Sequence, residues 1–333
     1  MINNTMLDNK IVDPEKKLVA IAGWVLEQCF RVKPEETVLV VTDGGVPRVA
    51  NAFWEAARER VQEVLLLRFE PRPEHGCEPP AGVAAAMKAS DVVLLPTVKS
   101  LTHTRARREA CAAGARIASM PMITEEIMQR ALDVDYEKLK RITYICADLL
   151  GKGQALRLTA RNGTDLTLDL GGRQGVVDTG DLWQKGSCSN LPAGEACIAP
   201  VEGSARGIVV LDGSLAGWGK LEEPVRLRVE EGRVTGVEGG KAADWLRETL
   251  EKYGALSGNI AELGIGTNEK AVVTGNILED EKVLGTVHIG LGDNKALGGK
   301  VEAGIHLDGV ILNPSVEIDG RLVIVEGQLM ITI

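Results

Sequence analysis

The sequence predicts an α/β protein with an amino-terminal doubly wound α/β domain, followed by a mostly antiparallel β (α+β) domain. Two observations support this fold class. In the first half of the 333-residue chain, helical and strand-like patterns alternate, as they do when helices wrap a parallel sheet. After Gly151-Lys152-Gly153 the pattern changes to strands joined by short turns, which indicates a boundary between domains at residues 1–150 and 151–333.

The first half pairs amphipathic helical patterns with buried strands. Asp13-Pro14 opens the first helix, and apolar runs such as TVLVVT and DVVLLPT have the length and composition of buried strands. The predicted helices lie at residues 14–30, 46–60, 79–90, 102–114 and 124–150, and the predicted strands at 37–42, 63–69, 91–97 and 115–121.

The second half reads as antiparallel hairpins with one helix. ALRLTARNGTDLTLDL turns at Asn162-Gly163, a pair that tolerates the positive φ angles of a tight hairpin turn. Two further hairpins are predicted in the same way. They are VRLRVEEGRVTGVEG, with its turn at Gly232, and SVEIDGRLVIVEG, with its turn at Asp319-Gly320. Between these strands, GKAADWLRETLEKYG predicts an amphipathic helix.

The composition of the chain argues against several classes of partner and of location. The chain is 44% apolar, so it can bury a sizeable core, and its net charge of −9 argues against nucleic acid or an anionic membrane as a partner. The start, MINNTMLDNKIVDPEKK, has no signal-peptide pattern, and no apolar run is long enough to span a bilayer. We therefore expect a cytoplasmic protein. Six scattered cysteines without a CxxC pair indicate reduced thiols rather than disulfides or a thiolate metal cluster.

A histidine and an aspartate share one predicted strand face near the carboxyl terminus. In AGIHLDG, His306 and Asp308 stand two residues apart, so their side chains point to the same face of an extended segment. The pair has two interpretations. It could hold a metal, or the aspartate could simply orient the imidazole.

Three further glycine-rich stretches supply related groups. They are NLPAGEACIAP with Glu195, NIAELGIGTN with Glu262 and GTVHIGLGDN with His288. Each has a structural alternative: a turn carboxylate in solvent for Glu195 and a core histidine bonded to a carbonyl for His288. Glu262 lies in an apolar strand pattern, where a buried carboxylate needs a cation from the protein or a metal.

Taken together, these groups favour metal chemistry. Nitrogen and oxygen donors without cysteine suit Zn²⁺, Co²⁺, Mn²⁺ or Fe²⁺. Three carboxylates and two imidazoles exceed the needs of one four-coordinate ion but suit two ions bridged by a carboxylate and a water. Such a pair activates water, so the residues predict metal-assisted hydrolysis of a short peptide or another amide.

These stretches, in this order, resemble the aminopeptidase T family of metallopeptidases, a group of leucyl aminopeptidases. The matching motifs are a PxGE turn, an AELGIG strand, a GTVHIALG-like strand and an HxD strand. The resemblance implies a homodimeric hydrolase with two divalent ions. The implied metal ligands are Glu195, Glu262, His288, His306 and Asp308.

The resemblance also implies catalytic positions. In that family a tyrosine, seven residues after the strand histidine, helps to stabilise the tetrahedral intermediate; Lys295 stands there in this chain, and its ammonium would polarise an oxyanion. Glu281, in LEDEKVLG, matches another acidic position and would serve as general base. The alternative for Glu281 is a surface glutamate in solvent.

A relative of that family, 2,5-dihydroxypyridine dioxygenase, supplies the alternative function. It cleaves a ring with one Fe²⁺ held by two histidines and an aspartate, and His288, His306 and Asp308 offer such a triad. In the dioxygenase pattern a histidine replaces the AELGIG glutamate and the later strand histidine is lost. This chain keeps Glu262 and His288, which favours two metals. A non-catalytic protein that binds a metal or a small molecule is a third possibility.

One candidate lies in the first half. His103, in KSLTHTRARREACAAGARIASMP, falls at the carboxyl edge of the predicted parallel sheet, where ligands usually bind. The resemblance to the dioxygenase implies a proton shuttle at this position. The alternative is a helix cap that His103 forms with Thr102 and Thr104.

Overall fold

The computed structural model describes residues 13–331. Two compact units make up this part of the chain: unit 1 comprises residues 13–137 and 178–193, and unit 2 comprises 138–177 and 194–331. The mixed α/β class with antiparallel sheets confirms the predicted fold class. The division into domains at residues 1–150 and 151–333 stays a prediction. None of the described helices is both long and apolar enough to cross a membrane.

The helices and strands have the following bounds. The helices are α1 (Pro14–Val25, continued by a π-helical turn Leu26–Phe30), α2 (Pro47–Arg58), α3 (Ala81–Ala89), α4 (Arg105–Ala112), α5 (Glu125–Ala131), α6 (Tyr136–Lys152), α7 (Lys241–Tyr253) and α8 (Ile277–Asp280). The strands are β1 (Thr37–Thr42), β2 (Glu63–Arg68), β3 (Val92–Thr97), β4 (Arg116–Pro121), β5 (Ala155–Thr159), β6 (Asp165–Asp169), β7 (Val176–Asp178), β8 (Cys188–Asn190), β9 (Glu195–Ile198), β10 (Arg206–Leu211), β11 (Ser214–Leu215), β12 (Gly219–Lys220), β13 (Val225–Glu230), β14 (Arg233–Glu238), β15 (Ile260–Gly266), β16 (Val287–Gly292), β17 (His306–Ile311), β18 (Ser315–Ile318), β19 (Arg321–Val325) and β20 (Gln328–Leu329).

Unit 1 is built on a parallel sheet with the strand order β2-β1-β3-β4-β8. Strands β3 and β4 are buried along their whole length, which explains their continuous apolar sequences. The predicted helix at residues 124–150 is two helices, α5 and α6, because the intervening segment contains two aspartates, Asp133 and Asp135, and this residue type favours helix ends. Strand β8 was not predicted, because its three polar or small residues lack strand propensity.

Unit 2 contains two antiparallel sheets. One has the strand order β14-β13-β10-β6-β5-β18-β19-β20, and the other has the order β12-β11-β17-β16-β15-β9-β7. The hairpin predicted at Asn162-Gly163 joins β5 to β6, with Gly163 at a positive φ of 101°. Apolar side chains from both sheets form one buried cluster, which includes Leu156, Leu227, Leu263 and Ile289.

Alternation within the second sheet separates the core from a polar face. In β15 and β16, Leu263, Ile265, Ile289 and Leu291 belong to the buried apolar cluster. The residues between them point to the opposite face, because successive side chains of a strand alternate. On that face, His288 and several glycines replace the apolar side chains.

Candidate metal centre

Four adjacent strands of unit 2 carry the predicted ligands on one face. The strands lie in the order β17-β16-β15-β9. The ligand candidates on this face are Glu195 from β9, Glu262 from β15, His288 from β16, and His306 and Asp308 from β17. Glu262 and Asp308 flank Gly290 in one row across the sheet, and His288 lies opposite Gly264 in the next row. The fold therefore brings all five predicted ligands to one surface of one sheet.

Two glycines make room for the imidazoles. A Cβ atom at Gly264 would collide with Cε1 and Nε2 of His288. A Cβ atom at Gly290 would come within 2.7 Å of the Glu262 Cβ and within 2.9 Å of the His306 ring. The glycines that frame the motifs in the sequence are thus the places where rings and carboxylates cross neighbouring strands.

One group of donors is partly open to solvent. His306 Nε2 lies 3.1 Å from Glu262 Oε2 and 3.1 Å from Asp308 Oδ1. The side chains of His306 and Asp308 are 29% and 16% exposed, so solvent reaches this group. The Nδ1 atom of His306 is 2.7 Å from the carbonyl oxygen of Asp293. If Nδ1–H donates to that carbonyl, Nε2 keeps its lone pair for a metal.

The second group of donors is fully buried. Glu195, Glu262 and His288 offer donor atoms within 4.8 Å of one another. His288 Nε2 lies 3.5 Å from Glu262 Oε1 and 3.7 Å from Glu195 Oε1. The Nδ1 atom of His288 has no hydrogen-bond partner among the described residues. The two groups share Glu262, whose two oxygens face different histidines.

A buried lysine joins the cluster. Lys282, which follows α8, is 3% exposed and pairs with Glu195 Oε2. Its Nζ also lies 2.9 Å from Glu281 Oε1. Lys282 was not predicted, because a lysine within the charged run LEDEKVLG resembles a surface residue. Cys197, also missed, is on the same sheet face as Glu195, and burial raises the pKa of its thiol well above the usual value.

The pKa values of the two histidines reflect an excess of carboxylates around them. Burial alone would raise the pKa of Glu262, but hydrogen bonds from His288 and His306 hold it well below its usual value. Burial alone would lower the pKa values of both histidines. The carboxylates outweigh that effect: Glu195 and Glu262 raise the His288 pKa to about 9, and Asp308 and Glu262 raise the His306 pKa well above its usual value. A divalent cation would supply the charge that the protonated imidazoles supply here.

Three residues were predicted to be catalytic, and they lie in three different environments. Glu281 is next to the cluster, where burial raises its pKa to about 8. Lys295 is not brought into the cluster; it lies in a short 3₁₀ turn, 64% exposed, with its Nζ 2.6 Å from Glu302 Oε2. His103 lies in unit 1, exposed in the loop before α4.

The alternative iron triad of His288, His306 and Asp308 stays a prediction. The two groups of donor atoms that lie within 4.8 Å of one another divide these three residues between them. Glu262 takes the place of His288 beside His306 and Asp308, and His288 belongs to the buried group. Glu262 on β15 reaches His306 on β17 because the residue opposite it on the intervening strand β16 is Gly290, which has no side chain to separate them.

Comparisons with known proteins bear on the reaction. The family model of NicX, 2,5-dihydroxypyridine 5,6-dioxygenase, matches residues 17–331. The 2,5-dihydroxypyridine 5,6-dioxygenase of Pseudomonas putida KT2440 is 26% identical, over 85% of this chain and 87% of the relative.

Two solved structures share the fold. The 2,5-dihydroxypyridine dioxygenase of Pseudomonas putida KT2440 superposes with a TM-score of 0.79, at 24% identity, over 96% of this chain and 98% of that one. Wild-type AmpT from Thermus thermophilus superposes with a TM-score of 0.72, at 19% identity, over 96% of this chain and 100% of that one. The resemblance to aminopeptidase T is therefore a relationship of fold.

These matches correct the predicted enzyme class. The prediction of a metallo-aminopeptidase-like hydrolase is wrong, because the family model that covers residues 17–331 is that of a dioxygenase. The descriptions hydrolase, aminopeptidase and metalloprotease are therefore wrong for this chain as well. The ring-cleaving dioxygenase that was the alternative is the better-supported function. The chain belongs to the NicX family, the 2,5-dihydroxypyridine 5,6-dioxygenases.

Proposed function

We propose that this protein is an iron-dependent dioxygenase that opens the ring of a hydroxylated N-heterocycle such as a dihydroxypyridine. One observation carries the proposal beyond family membership. His306 Nε2 lies 3.1 Å from an oxygen of Glu262 and 3.1 Å from an oxygen of Asp308, and the side chains of His306 and Asp308 are partly exposed to solvent. A metal that must accept substrate and oxygen needs such accessible positions.

The donors fit a single Fe²⁺ ion. Two carboxylates and one imidazole resemble the two-histidine, one-carboxylate set of non-haem iron oxygenases, with a carboxylate in place of one imidazole. The contact between His306 Nδ1 and the Asp293 carbonyl is the orienting contact expected of a metal-bound histidine. Iron bound there would supply a redox-active centre through which electrons from the hydroxylated ring reduce O₂.

The residues around the donors position them and exchange protons. The Asp293 carbonyl holds the His306 ring, while His288 lies 3.5 Å from Glu262 Oε1 and fixes the orientation of that carboxylate. We assign proton exchange with a substrate hydroxyl to Glu281, because burial raises its pKa to about 8 and so brings it close to neutral pH.

His103 and the oligomeric state remain proposals. The proton-shuttle role of His103 predicts that His103→Ala lowers kcat while metal content stays unchanged, which steady-state kinetics and elemental analysis would test. A homodimer predicts twice the chain mass of 35.6 kDa in light scattering. A monomer, or a His103→Ala variant with unchanged kcat, would contradict the corresponding proposal.

Oxygen uptake tests the function directly. Protein reconstituted anaerobically with Fe²⁺ and ascorbate is mixed with 2,5-dihydroxypyridine, its 2,3-, 2,4- and 2,6-isomers, catechol or hydroquinone in an oxygen electrode. We expect substrate-dependent uptake with at least one dihydroxypyridine, and less than about 1% of that rate for the Asp308→Asn variant. No uptake with any N-heterocycle, despite full iron occupancy, would overturn the proposal.

A further inference from the structure

We propose that the buried ammonium of Lys282 acts as a fixed cation that limits the centre to one metal ion, held by Glu262, His306 and Asp308. This inference rests on the proposed function, because it concerns the same centre. It makes Lys282 a positioning residue that sets metal number, and it makes the buried group of Glu195, Glu262 and His288 a support rather than a second metal site.

The position of Lys282 is the first support. Its side chain is 3% exposed, and its Nζ pairs with Oε2 of Glu195. A metal ion held by the other oxygen of Glu195 would share that carboxylate with an ammonium. Like charges at such short range in a buried site repel strongly, so the second ion is disfavoured while the lysine stays in place.

The two histidines supply independent support. A metal-bound histidine almost always donates its other ring N–H to a carbonyl, a carboxylate or a water. His306 has this contact, with Nδ1 2.7 Å from the Asp293 carbonyl. His288 lacks it, because its Nδ1 has no hydrogen-bond partner among the described residues. The geometry thus marks His306 as a ligand and His288 as a partner of the carboxylates.

The carboxylates divide between the two cations. Lys282 contacts Glu195 and Glu281, while Glu262 and Asp308 both lie 3.1 Å from the ring nitrogen that faces the metal position. Glu195 is thus the carboxylate paired with the ammonium, and Glu262 and Asp308 are the carboxylates that face the metal position. A second divalent ion would add two positive charges without adding a carboxylate.

Metal counting on the wild-type protein is the first test. The protein is stripped with a chelator, dialysed against excess Mn²⁺ and analysed for bound metal, and electron paramagnetic resonance reports whether manganese ions are coupled. We expect one equivalent with the spectrum of an isolated ion. Two equivalents with an exchange-coupled spectrum would overturn the inference. Neither readout depends on turnover, so failure of the proposed reaction would not be mistaken for failure of this inference.

Variants test the role of the lysine itself. Lys282→Met removes the charge at similar length, and we expect it to bind a second equivalent of Mn²⁺ with a coupled spectrum; Lys282→Arg keeps the charge and should stay at one. Lys152→Met, at an exposed pair with Asp148, is the matched control and should also stay at one. A Lys282→Met variant that folds and still binds one ion would overturn the inference.

A further variant keeps the test decisive if Lys282→Met does not fold. Because Glu195 serves the lysine rather than the metal, Glu195→Gln should retain one equivalent, whereas Glu262→Gln should lose it. Loss of the metal from Glu195→Gln would show that Glu195 is a metal ligand and would contradict the proposed division of the carboxylates.

Discussion

At the scale of single residues, two identical side chains of the cluster have different surroundings. His306 and His288 stand on adjacent strands, and both contact Glu262. Only His306 combines partial exposure with a backbone partner for its second ring nitrogen. The sequence predicted both as ligands, because a motif records residue type and spacing but not which ring nitrogen has a hydrogen-bond partner.

Metal affinity should separate the two histidines. We expect His306→Gln to weaken Mn²⁺ binding by more than about 100-fold, since it removes a ligand, and His288→Gln by about 10 to 100-fold, since it removes only a group that orients Glu262. Calorimetric titration of metal-free protein measures both affinities. Equal losses, or a larger loss for His288→Gln, would contradict the assigned roles.

Glu281 should make the stability of the metal-free protein depend on pH. Burial raises its pKa from the usual 4.5 to about 8, so the folded state holds a proton that the unfolded state releases between those pH values. The unfolding free energy should therefore fall as pH rises through that window, by at most about 1.4 kcal/mol per pH unit from this group. Urea titrations of the wild type and Glu281→Gln should diverge there. Parallel pH profiles would contradict the raised pKa.

At the scale of secondary structure, the sequence predicted those elements that neighbouring residues in the chain determine. Hairpin turns, buried parallel strands and the glycine-framed motifs were predicted because each has a local physical cause. The short strand β8 was missed because its pairing with β4, rather than its own sequence, determines it. The break between α5 and α6 was missed although Asp133 and Asp135 lie in it. The resemblance to the aminopeptidase T family placed Lys295 in the site, at the position of that family's tyrosine, but its side chain contacts Glu302 at the surface.

The glycines of the metal-site strands give a test at this scale. Gly290→Ala should push apart Glu262 and His306, because the new Cβ would lie 2.7 Å from one and 2.9 Å from the other. We expect at least a 10-fold loss of metal affinity and a lower melting temperature. Gly82→Ala in α3, where a Cβ meets open space, is the control and should be neutral or stabilising by up to about 1 kcal/mol. Unchanged metal binding in Gly290→Ala would contradict the described packing.

At the scale of the whole molecule, one fold serves two chemistries. The chain superposes on both a dioxygenase and an aminopeptidase, with TM-scores of 0.79 and 0.72. Motif matching selected the wrong enzyme class, because carboxylates and imidazoles suit both a binuclear hydrolase and a mononuclear iron oxygenase. The family model that covers residues 17–331 identified the dioxygenase. Lys282 became informative only when the fold placed it against Glu195.

Metal binding should also stabilise the whole protein. A ligand that binds only the folded state at 100 times its Kd adds about 2.7 kcal/mol to the unfolding free energy. We expect a higher melting temperature for Mn²⁺-loaded protein than for chelator-treated protein, measured by calorimetry. Glu262→Gln, which lacks a shared ligand, should show no such shift. A shift of equal size in that variant would place the metal elsewhere.

The measurement that most directly tests the central claim is the fate of ¹⁸O₂. Iron-loaded protein is incubated with a dihydroxypyridine under ¹⁸O₂, and the product is analysed by mass spectrometry. A ring-cleaving dioxygenase places both atoms of one O₂ molecule in a ring-opened product, and this is the result that we predict. A product that carries no label from ¹⁸O₂ would contradict the account.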